Sequence, residues 1–102
     1  MRASSQGQAS AHARDFLRAL SVMDQHLDAA RRALDRGDRG EASHRGLADA
    51  SWALGKAATE LRYAAKGRGV SWDALLAAEQ RARDFEARLR AECALVPCEA
   101  AP

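Results

Sequence analysis

Three observations predict an all-α fold, an antiparallel three-helix bundle. Apolar residues recur at three- and four-residue spacing over three long stretches. Two glycine-bearing breaks, Gly37 and Gly67-Arg68-Gly69, separate those stretches. β-branched residues are rare and alanine, leucine, arginine and glutamate abundant, a composition that favours helix over strand. The alternative architecture is a long helical hairpin whose third helix packs on a partner subunit.

The chain of 102 residues holds one modest core and is too short for two. Alanine supplies about half of the 47% hydrophobic residues, so the helices are expected to approach closely. Residues 1–9 read as a flexible leader and 97–102 as a tail, flanking a single domain at 10–96. Ser10 is the expected N-cap of the first helix. From it Ala13, Phe16, Leu20, Met23, Leu27, Ala30 and Leu34 form a seam of alternating three- and four-residue steps, widened by Leu17. The helix is expected to stop near Arg36, with Gly37 as the left-handed residue after it.

The second helix is expected at 39–66, with Asp38 and Glu41 forming a capping box. Leu47, Leu54 and Leu61, interleaved with Ala50, Ala57 and Ala64, mark its core face. Trp52 and Tyr63 fall about 180° away at 100° per residue. Beside them run Ala48, Gly55 and Thr59, and Arg45, Lys56, Arg62 and Lys66 border them. Either the helix rotates to bury Trp52, or this second face contacts another molecule. Gly46 and Gly55 each cost the helix roughly 1 kcal/mol relative to alanine. A glycine at 55 admits a close backbone or leaves room for the indole.

The third helix is expected at 71–95. Ser71 caps it, Val70 and Leu75 staple it, and Leu75, Ala78, Ala82, Phe85 and Leu89 form its seam. Glu79–Arg83, Asp84–Arg88 and Glu86–Arg90 are acid-before-base pairs one turn apart.

The net charge is +2, with acids and bases interleaved, a solvated surface rather than a nucleic-acid footprint. No apolar run is long enough to span a membrane, and the first ten residues lack a secretory h-region. A cytoplasmic, bacterial protein is expected. Cys93 and Cys98 supply too few ligands for zinc and read as free thiols. Glu41-Ala-Ser-His44 has Glu-x-x-His spacing, but one copy without companion carboxylates does not make a di-iron site. No nucleophile, acid–base pair or phosphate loop assembles, so no catalytic, metal or cofactor site is expected.

The segment ELRYAAKGRGVSWDALLAAEQRARDFEARL resembles the helix–turn–helix style of flagellar export chaperones, with Trp72, Asp73, Leu75, Glu79 and Arg83 in similar relation. It covers about a third of the chain, and capping and packing account for the same residues. The expected function is a non-enzymatic interaction module, an adaptor, chaperone-like or assembly subunit. It would bind a protein partner or a second copy through Trp52, Gly55, Thr59, Arg62, Tyr63 and Lys66. The runner-up is a small helical subunit contacting nucleic acid weakly within a larger complex.

Overall fold

A computed structural model describes the backbone of residues 2–94 and the side chains of 7–94. Three helices follow one another, α1 (Arg2–Asp35), α2 (Glu41–Leu61) and α3 (Trp72–Ala94). Helix α1 packs against both others, and the chain is a three-helix bundle. The expected tail at 97–102, with Cys98, lies outside the described residues.

The seam of α1 is where its spacing puts it. Phe16, Met23, Leu27, Ala30 and Leu34 are buried, together with Ala19 and Ala33, while Ala13 and Leu20 pack at the edge. Leu17 does not widen the seam inward: it is 41% exposed. The helix starts ahead of Ser10, which is therefore an interior residue and no cap. Its other end follows the expected chemistry. Gly37 has φ +89°, and Gly37 N–H and Asp38 N–H reach back to Leu34 O (2.9 Å) and Ala33 O (2.9 Å). That pair of bonds is a Schellman ending.

Helix α2 departs from expectation at both ends and in its phase. It begins at Glu41 after Gly40, with no side-chain cap. Asp38 instead accepts the Gly40 N–H at 2.9 Å, so the capping box does not form. Ser43 is buried and donates its hydroxyl to Asp38 O. The buried stripe is Ser43, Ala50, Ala53, Ala57 and Leu61; Leu47 and Leu54 are only partly buried. Alanines have no bulk beyond Cβ, so α2 turns them against α1 and shifts the leucines to the side facing α3. Gly46 belongs to the same contact. A Cβ there would stand 2.6 Å from Ala30 Cβ and 3.1 Å from His26 O. It is thus a close-approach site between helices.

The helix ends at Leu61 rather than Lys66. Arg62 and Tyr63 N–H close a tighter turn on Thr59 O (3.3 Å) and Glu60 O (3.1 Å). Ala65 N–H crosses to Ala9 O on α1 at 3.1 Å. The chain then reverses through Gly67–Val70, joined by Val70 N–H to Gly67 O at 2.9 Å and Gly67 N–H to Val70 O at 3.3 Å. Arg68 and Gly69 at its centre have φ +51° and +91°, the signature of a type I′ turn. Ser71 caps α3 as expected, its Oγ accepting the Ala74 N–H at 3.0 Å. Val70 and Leu75 are buried in one cluster with Phe16, Ala57 and Leu61, as a hydrophobic staple requires.

Helix α3 buries its predicted seam of Leu75, Ala78, Ala82, Phe85 and Leu89. Two ion pairs tie it to α1: Arg81 meets Asp24 through two hydrogen bonds (3.1 and 3.3 Å), and Arg88 meets Asp35. Glu79–Arg83 and Glu86–Arg90 pair as their spacing predicts, whereas Arg88 turns to Asp35 and Glu92 rather than to Asp84. Between α2 and α3 a groove of about 580 Å3 stays open, floored by Leu54, Ala58, Leu75 and Ala82.

Candidate protein-contact surface

The outer face of α2 is set by the phase of the inner one. Once Ala50, Ala53 and Ala57 face α1, Trp52 must point to solvent, and it is 75% exposed. Burial of Trp52 by helix rotation is therefore ruled out. Tyr63 is 61% exposed, and Gly55, Thr59, Arg62 and Lys66 are exposed with it. Each of the six residues expected at the contact surface is thus exposed.

Gly55 and Thr59 shape the middle of this face. A Cβ at Gly55 would meet nothing within 4 Å, and Thr59 Oγ1 donates to the Gly55 carbonyl at 3.1 Å. The helix backbone is consequently bare at Gly55, and the threonine hydroxyl is a second donor to a carbonyl inside the helix. Hollows lie on both sides of Trp52. One, of about 490 Å3, is bounded by Asp15, Arg18, Val22 and His26 of α1; the other by Ser51, Gly55, Lys56 and Thr59.

A polar cluster holds the end of the face in place. His12 Nδ1 lies 2.6 Å from Glu60 Oε1, and Lys56 Nζ 3.4 Å from Glu60 Oε2. The His12 ring packs on Tyr63 with centroids 5.5 Å apart and a 42° tilt. The hydrogen bond from His12 pulls the Glu60 carboxyl below its ordinary range; partial burial opposes this and Lys56 reinforces it. This cross-helix set was not legible in the sequence, since His12 and Glu60 lie 48 positions apart.

Two more exposed apolar residues went unpredicted. Trp72 is 58% and Leu76 53% exposed. Their signal was available: they sit one turn apart and off the Leu75–Ala78–Ala82 stripe. Glu79 and Arg83, which line the α2–α3 groove, follow Trp72 and Leu76 by seven residues each.

Other groups capable of ligation or acid–base chemistry have ordinary partners. Glu41 pairs with Arg45, and His44 Nδ1 lies 2.9 Å from Gly40 O. Asp24 is held by Arg81 and Asp28 by Arg31. Cys93 is partly buried, its thiol 3.6 Å from Arg39 O. No described helix is long and apolar enough to cross a membrane. Compared with known proteins, the chain matches no family model, no curated protein and no solved structure.

Proposed function

We propose that this chain is a non-enzymatic protein-interaction module, an adaptor, chaperone-like or assembly subunit, that binds through the outer face of α2. The observation that supports this reading is the 75% exposure of Trp52 on a helix already packed by its other side. A fully buried tryptophan covers roughly 150–250 Å2. Covering the exposed three quarters, at about 25 cal/mol per Å2, stabilises a complex by about 3–5 kcal/mol before the costs of association. Tryptophan, tyrosine and arginine are also the residues most often found at the energetic centre of interfaces. Trp52, Tyr63 and Arg62 supply all three types, each of them exposed.

The test is a photo-reactive phenylalanine derivative at position 52, irradiated in the producing cell, with adducts identified by mass spectrometry. A discrete protein adduct supports the proposal. Absence of any protein adduct, or adducts to nucleic acid alone, overturns it.

A further inference from the structure

We infer that the end of the bundle where α2 turns into α3 docks on the surface of an anionic lipid bilayer. This goes beyond the protein-contact reading. Arg62, Tyr63 and Lys66 belong to both surfaces, whereas Trp52 and Gly55 take no part in this one.

Acids and bases interleave along the sequence, and it is the fold that separates them. Residues 2–14 and 61–72 hold no carboxylate, while Arg14, Arg62, Lys66 and Arg68 fall within them. Packing brings these two stretches to one end of the molecule. Ala65 N–H donates to Ala9 O at 3.1 Å, and the His12 ring packs on Tyr63. All four cations are exposed. Among the described residues none of them has a carboxylate within 4.0 Å, whereas Arg31, Arg45, Arg81, Arg83, Arg88 and Arg90 are ion-paired. The carboxylates bordering the two stretches are Asp15, Glu60 and Asp73. Glu60 is already met by His12 and Lys56.

Apolar side chains gather at the same end. Among the described residues five large ones are exposed: Leu17, Trp52, Tyr63, Trp72 and Leu76. All but Trp52 lie on the reversal or against it. Tyr63 precedes the turn, and Trp72 and Leu76 stand in the first two turns of α3. Leu17 lies across from the turn: a Cβ at Gly69 would stand 3.6 Å from Leu17 Cδ2.

An anionic bilayer surface takes both kinds of group at once. Tryptophan and tyrosine settle at headgroup level, leucine enters the acyl boundary, and arginine and lysine meet the charged headgroups. A nucleic acid would also meet the cations and stack on the rings, but it gives Leu17 and Leu76 no apolar phase to enter. The exposed leucines therefore favour the bilayer.

The test is cosedimentation of the full chain with vesicles of phosphatidylcholine alone or mixed equally with phosphatidylglycerol. Binding is expected to the anionic vesicles only, and to weaken as salt is raised. Each cation beside an anionic surface strengthens binding about fivefold, so Lys66→Gln with Arg68→Gln should weaken it about twentyfold. Arg36→Gln with Arg39→Gln removes the same charge at the opposite end and should leave binding unchanged. Leu76→Asn keeps the charge and should weaken vesicle binding about fivefold, with binding to duplex DNA unaltered. Circular dichroism checks that each variant is folded. If the Lys66/Arg68 pair does not fold, Leu76→Asn and the salt series decide. No binding to anionic vesicles, equal losses from the two glutamine pairs, an unaffected Leu76→Asn, or tighter binding to duplex DNA than to vesicles overturns the inference.

Discussion

Alanine at position 46 and alanine at position 55 are expected to move stability in opposite directions, although both replace a glycine inside α2. Either substitution gains about 1 kcal/mol of helix propensity. At Gly55 nothing opposes that gain, since the new methyl group meets no atom within 4 Å. At Gly46 the methyl would sit 2.6 Å from Ala30 Cβ, 3.1 Å from His26 O and 3.2 Å from Ala30 Cα. Carbon contacts are comfortable only near ~3.5–4.0 Å. None of the three opposing atoms lies on a side chain that can swing aside, so the helices themselves must separate. Overpacking of this kind costs about 1–3 kcal/mol, and here the rigid neighbours place it in the upper part of that range. The net expectation is a loss of about 1–2 kcal/mol for Gly46→Ala and a gain of about 1 kcal/mol for Gly55→Ala. For a domain of this size each 1 kcal/mol shifts the melting temperature by roughly 4–8 °C. The assay is thermal and urea unfolding followed by circular dichroism, at a concentration where the chain is monomeric. Equal stabilisation by both substitutions would refute the close approach of α1 and α2 at this point.

Leu27→Ala should cost about 2–5 kcal/mol, because Leu27 is fully buried, and Leu54→Ala clearly less, because Leu54 only flanks the core; urea unfolding of both checks the order, and an equal or larger loss at Leu54 would place the core on the α3 side of α2. The His12–Glu60 contact should make stability pH-dependent. The folded-state pKa of Glu60 is depressed, so the stabilisation is present above the ordinary carboxyl value of 4.5 and is lost as pH falls through the folded-state value. Wild type should exceed Glu60→Gln by less than about 1 kcal/mol near neutrality, and the two melting curves should converge in acid; a gap that stays constant with pH would show that the carboxylate is not the source.

Local signals in the sequence determined most of the architecture. The seam of α1, the Gly37 ending, the Ser71 cap with its Val70–Leu75 staple and the seam of α3 depend on spacing and on neighbours a few positions away. Those interactions act within one or two turns and can be read from the chain itself. The same periodicity set Trp52 and Tyr63 opposite the leucine seam but left open whether the helix would rotate to bury Trp52; the packing of the alanines on α1 decided that. Which of α2's adjoining stripes is buried deepest was a tertiary decision. Leucines and alanines share that half of the helix, and close packing on α1 favours the alanines with Gly46, leaving Leu47 and Leu54 beside the groove toward α3. The end of α2 was decided the same way: Lys66 marks where helical propensity runs out, but the bond from Ala65 to Ala9 and the burial of Val70 against Phe16 draw the chain away after Leu61. The His12–Glu60–Tyr63 cluster and the Arg81–Asp24 and Arg88–Asp35 pairs likewise join residues 48 to 57 positions apart. Such contacts exist only once the helices are packed, because sequence periodicity sets which way a side chain faces along its own helix but not which residue of another helix it meets.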